Sequence, residues 1–396
     1  MNFILPSQLI MNLNDKRVPR LYLLGVFFTL CALWFGYQEN RVRQDHAKGD
    51  SCKHLKLGEE NPLFEKEVQQ IMPDLQGLLA KLMDRRVQGK LDDPNPQGRY
   101  KRVQHPVGWG CAAASVEILP MNSTDRHGVF AQPATYKSVI RLSKNSFDPD
   151  NSLKISSISV KMFGVKGERL PLHQTHPVLV EGNKDTQDFI FISNPTLPFV
   201  AEVKELIDFH EWFIWGNTPG VIAWVLLYRP TILPHLLSMI IRGKSITNPF
   251  LVRQYSIEPN LLGPGQAIRL GLFPCDESQQ QAPPPSGKAN FVQEITQAYL
   301  NENDVCMKLM IQKQTDACKD QIDDILHEWT GPFQHVGFLR LAKGTQLDNS
   351  DQACDNLSFN PFHGLEANRP LGWVARVRKE VYTTGSDRRM EKNEGK

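Results

Sequence analysis

The sequence predicts an α+β protein in which a body of short β-strands and helices follows an apolar N-terminal segment. Apolar stretches of strand length dominate after residue 100, and turn-forming runs such as Asp148-Pro-Asp-Asn151 separate them. Residues 62–86 instead carry apolar side chains at helical spacing, interrupted by Pro73. Residues 21–37 contain no charged side chain. These observations favour a strand-rich domain that is joined to a membrane anchor.

Composition is that of an ordinary globular protein. The 396 residues suffice for one large core or two moderate ones, and the apolar (41%) and charged (22%) fractions are typical values. The 45 basic and 43 acidic side chains give a formal net charge of +2. Because this balance lacks a basic excess, it gives no global signature of a nucleic-acid-binding protein. No internal repeat has a solenoid or propeller period.

The N-terminal apolar segment, residues 21–37, has the length of a short membrane-spanning helix. Lys16, Arg17 and Arg20 precede it, as expected of a cytoplasmic flank. We therefore expect an uncleaved single-pass anchor after a cytoplasmic segment 1–20, with a polar tether at 38–60 and the remaining domain periplasmic or extracellular. A cleaved signal peptide and a buried or interfacial helix are the alternatives. The segment ends in bulky side chains rather than in a small-residue cleavage motif.

Seven cysteines are present, and Cys31 lies in the apolar segment. The other six have no spacing typical of zinc ligands. Outside the cytoplasm they could form a disulfide, whose pairing the sequence does not determine. We interpret Cys111, on an apolar strand, as a small buried hydrophobic residue rather than a nucleophile.

Residues 209–241 are rich in aromatic and aliphatic side chains. Arg229 and three prolines interrupt the run, so a second membrane span is disfavoured. We expect a pair of buried or surface-lying helices here.

Arg378 and Tyr382 lie four residues apart near the C-terminus. On a helix, their side chains would share one face. The phenol normally ionises at a pKa of about 10, and an adjacent guanidinium favours the phenolate. A phenolate oxygen is one of the few protein ligands that bind haem iron from the proximal side. Arginine and tyrosine at this spacing also form ordinary surface contacts, so the pair alone leaves both interpretations open.

Several segments give this pair a context, because their order and spacing are similar to those of haem catalases. Over roughly residues 95–390 the chain resembles the catalase-like haem-protein superfamily, and it is most similar to the short, divergent branch that includes allene-oxide-synthase-like enzymes and small haem peroxidases. The segments that carry the resemblance are Arg102-Val-Gln-His105-Pro-Val-Gly108-Trp-Gly110, Ser138-Val-Ile-Arg141-Leu-Ser143, Ser157-Ile-Ser-Val-Lys-Met162, Thr186-Gln-Asp-Phe-Ile-Phe-Ile-Ser-Asn-Pro195, Asn356-Leu-Ser-Phe-Asn-Pro-Phe-His363 and Asn368-Arg-Pro-Leu-Gly372.

The resemblance implies a fold and a cofactor. The fold is an antiparallel β-barrel core with surrounding helices over residues 61–390, after which we expect a disordered tail at 391–396. The cofactor is haem b (iron protoporphyrin). Tyr382 would be the iron ligand and Arg378 its supporting partner. His105 would be the distal group that acts first as a base and then as an acid on peroxide.

The same resemblance assigns three cations to the haem propionates: Arg141, Arg389 and Arg102. The distal partner is a point of departure, because catalases place an asparagine where this chain has Asp185 or Thr186. The arginine that usually precedes the strand at Ser157 is also missing. We therefore expect peroxidase or hydroperoxide chemistry, with Asp185 or Thr186 as the distal partner, rather than efficient catalase turnover.

Three functions remain open from the sequence. The first is a membrane-tethered peroxidase or catalase-like oxidoreductase that acts on hydrogen peroxide or organic hydroperoxides. The second is a catalase-fold sensor or scaffold without turnover. The third is a fatty-acid hydroperoxide rearranging enzyme, with the apolar residues 209–241 at the entrance to its pocket.

Overall fold

A computed structural model of the chain describes residues 52–87, 104–144, 155–197, 203–234, 245–288, 290–348 and 356–394, with the single positions Trp34, Arg102, Asp150 and Cys354. Within residues 79–87 and 209–219, and at 221 and 231, only the backbone is described. The chain from Cys52 onward forms one compact unit. The predicted anchor at 21–37 lies, apart from Trp34, outside the described residues, as does the tether at 38–51. Across the described ranges, no helix combines the length and apolar character that a bilayer crossing requires.

In the described part of the chain, nine antiparallel strands form the core. They are β1 Val107–Ile118, β2 Ala134–Lys144, β3 Ser156–Phe163, β4 Thr186–Ile192, β5 Gln254–Ser256, β6 Asn260–Leu261, β7 Ala267–Pro274, β8 Val305–Lys313 and β9 Phe333–Leu341. Their order is β5-β4-β3-β2-β1-β9-β8-β7-β6, and β5 also pairs with β7. That last pairing closes eight strands into a barrel, with β6 as a short addition to β7. The predicted antiparallel barrel core is confirmed.

The barrel interior is apolar, as strand alternation requires. Val160 and Phe189 face each other across β3 and β4 and line the interior with Phe191 and Leu339. Because successive side chains point to opposite faces, the next pair along these strands, Lys161 and Asp188, lies on the outer face. Both strands are nonetheless buried along almost their whole length. The outer face at this point is therefore covered by other parts of the chain.

Helices surround the barrel. They are α1 Pro62–Val87, α2 Pro177–Gly182, α3 Val203–Tyr228, α4 Val292–Glu302 and α5 Gly372–Glu394. Short 3-10 helices lie at Cys52–His54, Ser123–Asp125, Gly128–Phe130, Pro230–Ile232, Pro249–Leu251 and Glu366–Asn368. Leu75, Trp224 and Trp373, from α1, α3 and α5, belong to a second hydrophobic cluster beside the barrel core. Residues 391–394, which the sequence assigns to a disordered tail, form the end of α5.

One helical prediction needs correction, because α1 continues through Pro73 instead of being interrupted there. In the region 209–241, α3 passes Pro219 and ends at Tyr228, and residues 235–241 lie outside the described residues. In α1, Val68, Ile71 and Leu75 on either side of Pro73 are buried in the same cluster. Burial of this continuous apolar face outweighs the one backbone hydrogen bond that a proline removes.

Three disulfides cross-link the described residues: Cys52–Cys318, Cys111–Cys354 and Cys275–Cys306. Cys111 is buried as predicted, and its sulfur is bonded to Cys354, a partner that the sequence did not identify. The first two bridges join residues that are 266 and 243 positions apart.

Candidate functional site

A cleft lies between the residues that precede β1 and the second half of α5. It encloses about 30 Å³, or about 320 Å³ when the open solvent at its mouth is included. Arg102 and Gln104 line it on one side, Tyr382 and Arg389 line it from α5, and Phe359 contributes an aromatic wall. The structure therefore brings together the N-terminal and C-terminal segments that the sequence singled out, although about 280 residues separate them.

The predicted pair on α5 is formed. Arg378 Nη2 donates a hydrogen bond to the Tyr382 hydroxyl at 3.0 Å, and the guanidinium carbon lies 5.2 Å from the centre of the phenol ring. A second nitrogen of Arg378 forms a short ion pair with buried Glu258. Burial alone would lower the pKa of Arg378, but the Glu258 carboxylate and the Tyr382 hydroxyl outweigh that effect and raise it. The guanidinium therefore stays charged beside the phenol.

Carboxylates fix the N-terminus of α5 and so set the position of the pair. Asp323 accepts a hydrogen bond from the Trp373 backbone N–H at 2.8 Å, and Glu60 accepts one from Gly372 at 2.7 Å. Carboxylates favour this end of a helix because its free N–H groups carry partial positive charge. Burial raises the pKa of Asp323 to about 6, against the opposing effect of the two backbone N–H groups that it accepts, from Trp373 and Asn61.

His105 has an uncommon backbone conformation. Its φ is +50°, and among the described residues no other non-glycine residue has a positive φ. Such conformations are strained and cluster at functional sites. Arg141 Nη2 donates to the His105 carbonyl at 2.9 Å, which ties this turn to β2. His105 directly follows cleft-lining Gln104 in the chain but is not itself among the residues that line the cleft.

Arg102 and Arg389, both predicted to bind propionates, converge on one backbone segment. Arg102 Nη2 donates to the carbonyls of Cys354 at 3.0 Å and Leu357 at 2.7 Å. Arg389 Nη2 reaches the same Leu357 carbonyl at 3.5 Å. Both side chains line the cleft. Arg141 instead bonds the His105 backbone, and so contacts the distal segment.

The two candidate distal partners make their hydrogen bonds elsewhere. Asp185 is exposed, and its carbonyl accepts from Val165 at 3.1 Å. Thr186 is buried at the start of β4, where its hydroxyl donates to the Asn183 carbonyl at 3.3 Å. Both residues are thus bonded to the β3–β4 connection rather than to His105.

A buried charged cluster that the sequence did not predict lies behind the cleft. Lys161 Nζ donates to both carboxylate oxygens of Asp188, at 2.7 and 2.8 Å, and to the Asn183 side chain at 2.7 Å. Asp188 also lies 3.0 Å from His363 Nδ1 and accepts the Asn360 backbone N–H at 2.9 Å. The Lys161 and Asp188 side chains are both 0% exposed.

Burial and the mutual charges shift the pKa values of Lys161 and His363 in this cluster. Burial lowers the pKa of Lys161, while the Asp188 carboxylate opposes the change. Burial also lowers the pKa of His363, and the nearby Lys161 charge adds to the effect. A neutral His363 donates its Nδ1 proton to Asp188. One sequence feature indicated the cluster: Lys161 and Asp188 are the charged residues of two strands whose other side chains are uncharged.

Phe359 separates the cluster from the cleft. Lys161 Nζ lies 5.6 Å and the Arg102 guanidinium carbon 6.0 Å from the centre of its ring. Both distances are within the range of cation–π attraction. The buried cluster therefore supports the aromatic wall of the cleft from behind.

The fold and the cleft define a class: an antiparallel β-barrel protein with a tyrosine–arginine pair presented on a C-terminal helix. No protein-family model matches the chain, and no curated protein matches it. Within the described ranges, no group of three or more His, Cys, Asp or Glu side chains is arranged to hold a metal ion.

The chemistry of the cleft side chains, but not the enclosed volume, suits the haem that the resemblance implies. A phenol with a charged arginine partner is a suitable axial ligand. Phe359 and Val381 offer apolar surface to a macrocycle, and two guanidinium groups on the same cleft suit its carboxylates. The enclosed volume of about 30 Å³ is well below the range for small-molecule sites, about 300–1,000 Å³, so a bound macrocycle would require the cleft to widen.

Proposed function

We propose that the protein is a haem-dependent, peroxidase-like oxidoreductase that acts on hydrogen peroxide or organic hydroperoxides. One observation carries the proposal: the 3.0 Å hydrogen bond from Arg378 to Tyr382, with the phenol facing the cleft. Tyr382 would hold the iron. Arg378, kept charged by Glu258, would stabilise the phenolate form of that ligand.

Haem, when bound, supplies the oxidation chemistry. The chain's own residues would bind the group, move the peroxide proton and exclude water. His105, the residue after cleft-lining Gln104, would take a proton from one peroxide oxygen and return it to the other, as general base and then acid. Arg102 and Arg389 would bind the propionates through charge-assisted hydrogen bonds. Phe359 would pack on the macrocycle and exclude water.

The surroundings of α3 favour organic hydroperoxides among the substrates. Trp224 of α3 and Val381 of α5 share one hydrophobic cluster, and Val381 lines the cleft. On the same helix, Ile222 and Leu226 are 50% and 52% exposed. Exposed aliphatic surface is found in proteins that bind apolar ligands or partners. A fatty-acid hydroperoxide, and with it a rearranging enzyme, is therefore the second candidate.

The disulfides support the proposed compartment. Three bridges within one domain are typical of proteins that fold in an oxidising environment. We infer a domain outside the cytoplasm that residues 21–37 tether to a membrane.

Absorption spectroscopy of the full chain with hemin tests the proposal. We expect a Soret band for the unaltered protein and a lost or strongly shifted band for Tyr382→Phe. Tyr255→Phe is the matched control, because Tyr255 is bonded to an arginine, Arg253, on the barrel away from the cleft. A colourless unaltered protein would reject haem binding altogether. An unchanged spectrum in Tyr382→Phe would remove Tyr382 from the site.

Comparison of hydrogen peroxide with lipid hydroperoxides as substrates then decides between the two candidates. Oxidation of an added electron donor by either peroxide identifies a peroxidase. Conversion of a lipid hydroperoxide without an added donor identifies the rearranging enzyme.

A further inference from the structure

The Cys111–Cys354 disulfide stands at the junction between the two halves of the candidate site. The Cys111 backbone forms an isolated antiparallel bridge with Asp348, with two N–H···O bonds of 2.8 Å. Its sulfur is bonded to Cys354. Both cysteines are buried, with 6% and 7% of their surface exposed. Cys354 lies two residues before the segment 356–363, which we call the cleft wall because Ser358 and Phe359 line the cleft.

Arg102 holds the start of the cleft wall together with the disulfide. Its Nη2 donates to the carbonyls of Cys354 and Leu357, at 3.0 and 2.7 Å. The covalent bond from β1 and the guanidinium from the segment before β1 thus fix the same few residues. These contacts immediately precede Phe359 in the chain.

The other end of the cleft wall is held by hydrogen bonds. The Asn360 backbone N–H donates to Asp188, and its side-chain amide reaches the Thr383 hydroxyl on α5 at 3.4 Å. The backbone N–H of Asp188 donates to the His363 carbonyl at 2.7 Å. The position of Phe359 relative to Tyr382 therefore depends on a covalent anchor at one end and on β4 and α5 at the other.

We propose that the Cys111–Cys354 disulfide is a positioning element of the cleft, which sets the distance of the cleft wall from α5 and thereby controls the retention of the ligand. The haem part of this inference rests on the proposed function, whereas the ordering of the cleft wall does not. We expect loss of the bridge to leave the strand ladders of the barrel intact and to loosen the anchored end of the wall, which only the Arg102 hydrogen bonds would then hold.

The test compares two double variants of the full chain. Cys111→Ser/Cys354→Ser removes the bridge at the cleft. Cys52→Ser/Cys318→Ser removes the bridge between the N-terminal end of the domain and the loop before Asp320. The two bridges close loops of similar length, 243 and 266 residues apart, so their removal frees the unfolded chain to a similar extent. We expect similar falls in melting temperature.

Two local readouts should separate the variants. Transfer of haem to apomyoglobin should be about 10- to 100-fold faster from Cys111→Ser/Cys354→Ser, the range seen when a supporting residue of a metal site is lost. Amide hydrogen exchange of residues 356–363, measured without haem, should rise only in that variant. Equal exchange and equal transfer rates in the two variants would overturn the proposal.

Graded reduction of the unaltered protein covers the case in which the cleft variant does not fold. Dithiothreitol converts each disulfide to two thiols, and alkylation with mass spectrometry shows which pair has opened. Exchange in the cleft wall should rise with alkylation of Cys111 and Cys354, and not with that of half-buried Cys275 and Cys306. If exchange in the cleft wall rises with alkylation of Cys275 and Cys306, the inference is refuted. If the unaltered protein binds no hemin, the proposed function fails. The exchange data still decide whether the Cys111–Cys354 disulfide orders the cleft wall.

Discussion

At the scale of single residues, His105 combines a polar imidazole with a left-handed backbone, a φ of +50°. Asparagine tolerates that backbone conformation better than most residues. His105→Asn should therefore fold and bind haem as before, while losing the group that moves the peroxide proton. We expect its reaction with peroxide to slow by about 100-fold or more, the usual contribution of general acid–base catalysis. Stopped-flow absorbance of the haem band measures this rate.

The matched control is His54→Asn, because His54 is exposed in a 3-10 helix of the same domain. Its peroxide reaction should be unchanged. If His105→Asn also reacts at the unaltered rate, the distal assignment is wrong and another side chain at the cleft moves the proton.

His363 should make stability dependent on pH. Burial lowers its pKa in the folded state, so at mildly acidic pH the unfolded chain binds a proton that the folded chain does not. The free energy of unfolding then falls as the pH drops below the ordinary histidine pKa of about 6.5. His363→Gln should have a shallower fall between pH 7 and pH 5. Urea unfolding at a series of pH values measures the slope.

His327 is a control of opposite sign. Its hydrogen bond to Asp324 raises its pKa, so it stabilises the folded state at low pH and loses that effect as the pH rises. His327→Gln should therefore steepen the fall that His363→Gln reduces. If the free energy of unfolding falls equally steeply with pH in the two variants, the buried cluster does not contribute to the acid sensitivity.

At the scale of elements, the placement of α5 decides whether the candidate site exists, because this helix carries Arg378, Tyr382 and Arg389. Asp323 accepts the Trp373 and Asn61 backbone N–H groups and so joins the starts of α5 and α1. We expect Asp323→Ala to lower the free energy of unfolding by about 1–2 kcal/mol, the usual range for loss of a helix-capping acceptor. Chemical denaturation measures the change, and haem retention should weaken with it.

Asp304→Ala provides the comparison, because Asp304 also accepts one backbone N–H, from Lys343, at an exposed position. Its effect should be smaller, since water replaces an exposed acceptor readily. Equal effects at the two positions would mean that burial at the start of α5 adds nothing to the capping bond.

The sequence was most informative about elements whose pattern is local. The strands around Arg141 and Met162, and the helix that carries Arg378 and Tyr382, follow from side-chain periodicity and from the resemblance. The continuity of α1 through Pro73 could not be predicted from periodicity, because it depends on the burial of a whole helix face against α3 and α5.

The candidate site was only partly predictable for the same reason. The Arg378–Tyr382 bond joins residues four positions apart, so the sequence could suggest it. Lys161 and Asp188 meet only through the register of β3 and β4, which no local pattern states. The Cys111–Cys354 pairing joins residues 243 positions apart and has many possible alternatives among six cysteines.

At the scale of the whole molecule, barrel closure explains how distant segments meet. The pairings of β5 with β4 and β7 close the sheet, so the strands at its two ends become neighbours. The outer face of β3 and β4 then receives the cleft wall, which in turn contacts α5. The site thus depends on the long-range order of the barrel and on the two disulfides that span most of the domain.

That dependence gives a prediction for the cysteines of the native protein. Six of the seven are paired in the structure, and the seventh, Cys31, lies outside the described residues. Unfolding in an alkylating reagent without reductant should therefore label one cysteine, and prior reduction should label seven. Mass spectrometry counts the labels.

Protein folded in a reducing cytoplasm should give more than one label without reductant. Its free energy of unfolding should also be lower, because each lost native bridge removes about 2–5 kcal/mol. More than one label in protein exported to an oxidising compartment would show that the bridges, and with them the proposed location of the domain, are wrong.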